Sequence, residues 1–245
     1  MTANTLPSGI GDLAILATHI GTGLAAHSPW LGTLPSAAAF HETLRKLTES
    51  EDAYAIARAG KAAAGTRFHA ADDALTAWLG KARLVLMLAK GAQWSETWVE
   101  AGFTQRGTNV PKQMAARVAL VPRVAGFFTR NGEWEMPVAG VTAAHGAAVS
   151  GEMRAAQAGL RAASQDALVK KRARDLAEKT LRWEMRRVVI FLSVLLSPGD
   201  ARWLAFGLNR PRPDAPVSVA ARRSGVAAAV IALPPAEPAR AAAAA

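Results

Sequence analysis

Residues 152–196 read EMRAAQAGLRAASQDALVKKRARDLAEKTLRWEMRRVVIFLSVLL, with no proline and a single glycine, Gly159. Proline lacks an N–H and clashes with the preceding turn, so helix interiors exclude it, and a run this long without it predicts one continuous helix. The apolar positions agree. Met153, Ala156, Leu160, Ala163 and Ala167 alternate by three and four, as do Leu181, Met185, Val188, Leu192 and Leu195. That spacing puts each set on one face of a helix. The two stripes are out of register, so a stutter or a change of partner helix is expected between Leu168 and Leu181. Alanines in the first stripe let backbones approach closely, whereas the larger residues of the second mark the thicker end of a core. At 1.5 Å per residue, a helix of about 55 residues is roughly 80 Å long. The expectation is an all-α, elongated helical bundle with coiled-coil-like packing.

The same pattern occurs earlier in the chain. Pro7 and Pro111, Trp30 and Trp134, and His41 and His145 are each 104 apart. Trp78 and Trp183, Trp98 and Trp203, and Gly102 and Gly207 are each 105 apart. Six of the 7 Trp residues thus fall into three pairs. Apolar positions follow the same offsets, as in Leu16/Leu120, Ile20/Val124, Leu24/Phe128 and Leu86/Phe191. Self-similarity at a fixed offset indicates internal repetition. Two copies are expected, residues 5–107 and 109–210, packed together as one domain. Each would hold a short helix, a Pro/Trp loop, a long helix and a Trp-bearing end turn. The first long helix is expected to be continuous too, because Gln165 and Lys170, at the positions matching Gly60 and Gly65, would not accept a glycine turn; Gly60–Gly65 is the place for a bend if there is one. Pro122 is expected to kink or divide the second short helix. Trp78, Trp98, Trp183 and Trp203, with Gly102 and Gly207 as helix stops, are read as structural. Residues 211–245, rich in Pro and Ala, read as a linker or disordered tail.

Composition narrows the class further. The 245 residues include 56 Ala, are 51% hydrophobic, and contain 6% aromatics and one Tyr. This favours helices over sheets, which want β-branched and aromatic side chains. With no Cys, disulfide scaffolds, thiolate metal sites and a Cys nucleophile are excluded. The longest apolar run, Val188 to Leu196, is far short of the roughly 20 residues that span a bilayer. The first residues carry no charged-then-apolar leader pattern. A cytoplasmic protein without a membrane span is expected.

Chemistry is harder to find. No Glu precedes a His by three residues, and no two His residues are four apart, so the metal spacing used in helical bundles is missing. Gly21-Thr22-Gly23 lacks a preceding strand, and no phosphate-binding loop or nucleophile elbow occurs. No catalytic, cofactor-binding or metal residues are assigned, no cofactor is expected, and the chain is not read as an enzyme. The balance of 29 Lys+Arg against 19 Asp+Glu, net +10, points weakly to a polyanion. The concentrated part is Lys170, Lys171, Arg172, Arg174, Arg182, Arg186 and Arg187. A basic helix of this kind can lie along a phosphate backbone. However, Asp175, Glu178 and Glu184 are interleaved at intrahelical pairing distance.

The end motifs Gly199-Asp200-Ala201-Arg202-Trp203-Leu204-Ala205-Phe206-Gly207-Leu208-Asn209 and Gln93-Trp94-Ser95-Glu96-Thr97-Trp98-Val99-Glu100-Ala101-Gly102-Phe103 resemble those of a group of uncharacterised bacterial Ala-rich helical proteins. The resemblance covers residues 5–210. It implies a helical region followed by a Pro-rich joint, and carries no activity with it. The functional expectation is a non-catalytic spacer or assembly element with a protein partner or self-association. A nucleic-acid-associated protein using residues 170–187 is the alternative.

Overall fold

A computed structural model describes residues 4–27, 36–104 and 107–211. The chain is all-α. Its helices are α1 (Ile10–His27), α2 (Ala37–Lys90), α3 (Met114–Arg130), α4 (Ala143–Leu195) and the short α5 (Arg202–Ala205), with a 3₁₀ turn at Glu96–Ala101. Among the described residues there is no strand, only one isolated antiparallel bridge between Met136 and Val141. The expected tail falls almost wholly on residues outside this description, as does Trp30.

α2 is unbroken through Gly60 and Gly65 over its 54 residues, and α4 is unbroken over 53. At 1.5 Å per residue each is about 80 Å long. α4 begins ahead of the stretch that predicted it: Thr142 Oγ1 accepts from the His145 N–H at 3.1 Å, and Glu135 Oε1 accepts from the Ala143 N–H at 2.7 Å. Both satisfy donors that a helix start leaves open. α2 starts likewise, with Ser36 Oγ accepting from the Ala39 N–H. Pro122 does not divide α3, which runs through it.

Packing separates the chain into two compact units, Met1–Leu34 with Met185–Ala245, and Pro35–Glu184. In the second unit, the side chain of Trp78 on α2 lies against Gly146 of α4, and Arg174 of α4 lies over the ring of Tyr54 on α2. A later residue of α4 thus meets an earlier residue of α2, so the two run antiparallel. Their core gathers Leu75, Trp78, Leu79 and Leu86 of α2, Val121, Val124 and Phe128 of α3, and Met153 of α4. Trp98 of the 3₁₀ turn is fully buried among them. Arg117 of α3 and Asp72 of α2 form a two-pronged ion pair at 2.6 and 2.7 Å, with Arg117 also donating to the Pro111 and Lys112 carbonyls.

In the first unit, Leu13, Ala17, Ile20 and Leu24 of α1 are buried, as are Met185, Val188 and Leu192 of α4 and Trp203, Phe206 and Leu208 of the end turn. Leu196, just past the helix, is buried where the stripe predicted Leu195. Asp200 Oδ1 accepts from the Arg202 N–H at 2.8 Å, and the Trp203 indole N–H donates to the Ser197 carbonyl at 3.1 Å.

The two end turns have the same backbone bonds. Phe103 N donates to Trp98 O and Gly102 N to Val99 O; Leu208 N donates to Trp203 O and Gly207 N to Leu204 O. Both glycines lie in the left-handed region, at φ +94° and +67°, where a side chain is strained.

Candidate functional site

Along α2 no side chain between Ala57 and Leu75 is buried, and along α4 none between Met153 and Ala167. The Ala-rich stripe predicted on α4 is therefore only half covered. Between the two middles lies a groove of about 800 Å³ lined by Ala57, Gly60, Ala64, Gly159 and Ala163, with Arg67, Glu152 and Asp166 as its charged lining. Its wall is mostly alanine methyl groups and glycine backbone, with the three charged side chains among them.

A second face is richer. On the C-terminal half of α4, Val169, Ala173, Leu176, Thr180, Trp183, Arg187, Ile190 and Val194 follow one another at spacings of four and three, and every one is exposed. The large members are far from covered: Val169 58%, Leu176 66%, Trp183 55%, Ile190 64% and Val194 78%. A 4-3 alternation is the heptad pattern by which helices pack on one another. The stripe Leu181, Met185, Val188 and Leu192 is buried on another side of the same helix. α4 thus has a buried apolar face and a solvent-exposed one.

The predicted basic residues do not lie on one face. Arg174 belongs to the inward side: its guanidinium is 4.8 Å from the Tyr54 ring centroid, 3.7 Å from Glu51 Oε2 and 2.5 Å from Asp175 Oδ1. The hydrogen bond to Asp175 raises its pKa above the ordinary arginine value, against the opposing effect of burial. Arg182 pairs with Glu178 at 2.7 Å. Lys171, Arg172, Arg186 and Arg187 are exposed, and Lys170 is half-buried. Arg172, Lys179 and Arg186 precede seam residues Ala173, Thr180 and Arg187 by one position, and Lys170 follows Val169. These are the flanks of a heptad seam, where charges choose the partner.

Of the residues read as structural, Trp78, Trp98 and Trp203 are buried with Gly102 and Gly207 beside them, while Trp183 is half exposed and belongs to the seam. The seam was readable as an eight-member 4-3 row. It was masked by the neighbouring row of larger residues, which satisfies the same pattern. Among the described residues no cluster of three His, Asp or Glu side chains could hold a metal ion. No helix among them is long and apolar enough to cross a membrane. No protein-family model, curated protein or solved structure matches the chain.

Proposed function

We propose that this protein is a spacer and assembly element, built by duplication of a short-plus-long helix unit, that works by helix-on-helix docking rather than by catalysis. The observation that carries this reading is the exposed heptad seam of α4 from Val169 to Val194. Leaving several large apolar side chains in water forgoes their burial, worth about 1.5–3 kcal/mol each when complete. Aligned in one row, they form a contiguous patch of the kind that marks interaction sites, whereas singly scattered apolar residues need no such account.

A direct test uses a fluorescently labelled amphipathic peptide of about four heptads with Leu/Ile at the seam positions and uncharged flanks, since four heptads make a stable pairing surface. Anisotropy titration with the full chain should show saturable binding. Val169→Gln with Leu176→Gln should abolish it while leaving helix content by circular dichroism unchanged, because both side chains are solvent-facing. A chain that binds no such helix, or binds equally well with both substitutions, refutes the docking reading.

A further inference from the structure

We infer that the partner of the α4 seam is an acidic amphipathic helix. This rests on the docking reading above and adds the chemistry of the occupant. The seam is flanked by Lys170, Arg172, Lys179 and Arg186, and Arg187 stands within it; the other two flanking positions from Lys170 to Arg186 are Ala177 and Glu184. A helix laid along this face therefore meets cations on most of its length. Like charges across paired helices repel and opposite charges attract, which sets partner choice in heptad packing.

The same charges argue against a second copy of α4. In an antiparallel pair the positions of Arg172, Lys179 and Arg186 would face their own kind. In a parallel pair Lys179 would gain Glu184, but Arg172 would meet Ala177 and Arg186 would meet Phe191, and the Arg187 guanidiniums would lie side by side. An acidic helix, with Glu or Asp beside its apolar row, satisfies the flanks and covers Val169, Leu176, Trp183 and Ile190 together. A nucleic acid would satisfy only the cations. Phosphate contacts neutralise charge but leave the aliphatic seam residues in water. Arg174 and Arg182 already have carboxylate partners within the chain, which leaves a phosphate backbone fewer cations on α4 than the sequence promised.

The decisive experiment titrates the full chain against three labelled peptides sharing one apolar row, with flanks of Glu, of Gln or of Lys, and against a labelled DNA duplex. At about 50 mM salt the Glu peptide should bind about sixteenfold more tightly than the Gln peptide, taking roughly twofold from each of four charge pairs. The gap should shrink at about 0.5 M salt, where exposed charges are screened. Replacing Arg172, Lys179 and Arg186 with Gln should cut the preference to the roughly twofold left by Lys170 and keep the Gln-peptide affinity. Leu176→Gln with Val169→Gln should abolish binding of the Gln peptide and weaken the Glu peptide by a similar factor. Equal binding of Glu and Gln peptides overturns the acidic partner but spares the docking reading. Loss of all peptide binding overturns both. Duplex DNA that binds more tightly than the Glu peptide, insensitive to the Leu176 and Val169 changes, makes the face a polyanion site and overturns the inference. Tighter self-association than Glu-peptide binding, seen in sedimentation, overturns it in favour of a second copy.

Discussion

Unlike Gly60 of α2 and Gly159 of α4, Gly146 of α4 should resist replacement. A Cβ built there lies 2.5 Å from Trp78 Cζ2 and 2.6 Å from Cη2. Carbon atoms rest at about 3.5–4.0 Å, so the ring or the helix would have to give by about 1 Å. The ring has little room, since Trp78 is buried and stands edge-on to Phe128 with centroids 6.5 Å apart. Forcing one carbon into a filled core costs about 1–3 kcal/mol. Against this, Gly→Ala inside a helix returns about 1 kcal/mol. Gly146→Ala should therefore destabilise the chain by about 1 kcal/mol. At Gly60 and Gly159 a Cβ meets nothing within 4 Å. Alanine there should stabilise by about 0.5–1 kcal/mol. Urea unfolding followed by circular dichroism measures all three. A double-mutant cycle with Trp78→Leu localises the cause: once the indole is gone, Gly146→Ala should turn from a loss into a gain. If Gly146→Ala is as stabilising as Gly159→Ala in the wild-type background, the close approach of α2 and α4 at this point is refuted.

Three further outcomes are expected. Gly207→Ala should cost about 2 kcal/mol, since it combines left-handed strain with a Cβ placed 2.7 Å from that of His19. Gly140→Ala, at φ +70° in open space, should cost about half of that in thermal unfolding, and equal losses would sink the packing argument. Asp72→Asn should cost about 3 kcal/mol by leaving the 12%-exposed Arg117 guanidinium without its carboxylate, whereas Glu42→Gln on the exposed part of α2 should change little, both read from urea midpoints. The hydrogen-bonded Arg202 side chain holds the Asp200 carboxyl down to about 2 from 3.8, so its contribution is complete above about pH 4 and lost as the pH falls through 2. The Trp203 indole N–H signal in NMR should shift over that range in the wild type, and stay flat there in Asp200→Asn.

Much of this was legible in the sequence because the signals were local and redundant. Proline exclusion and the 4-3 rows specified α4, the 104–105 offset carried that reading to α2, and the Gly102 and Gly207 stops marked the ends of two Trp turns. What was not legible depends on which side of a helix meets a neighbour. Arg174 and Arg172 are two residues apart and carry the same charge, yet one stacks on Tyr54 and the other is exposed. Trp183 shares its offset with the buried Trp78, but Trp78 has a glycine, Gly146, to pack on, whereas the residue 104 before that glycine is Glu42. A bulky polar side chain in place of a glycine gives no such flat seat, which fits the half-exposed indole. Pro122 was expected to kink or divide its helix because its own hydrogen bond is lost, and the division did not occur. One missing bond proved insufficient to interrupt a helix whose Leu120, Val121, Val124 and Phe128 are all buried.

On the reading of two copies, the end turns explain why the compact units do not follow the copy boundary. Gly102, ending the first copy's turn, seats its backbone against Arg123 of α3, which belongs to the second copy. Gly207, ending the second copy's turn, seats against His19 of α1, which belongs to the first. Positions 19 and 123 are themselves 104 apart, so the two seats are equivalent, and each copy closes on the short helix of the other. The side chains differ in a compensating way. In one unit the turn contributes the large Phe206, and α1 offers Gly23, where a Cβ would lie 2.5 Å from the ring. At the matching positions of the other unit the turn contributes the small Ala101 and α3 the large Phe127, both buried in one core. At matched positions the large side chain stands on the turn in one unit and on the short helix in the other, the kind of exchange that close-packed interiors tolerate best. A single copy would have its Trp turn without the helix that covers it. On that reading the exchange makes two copies the smallest piece in which both turns are closed.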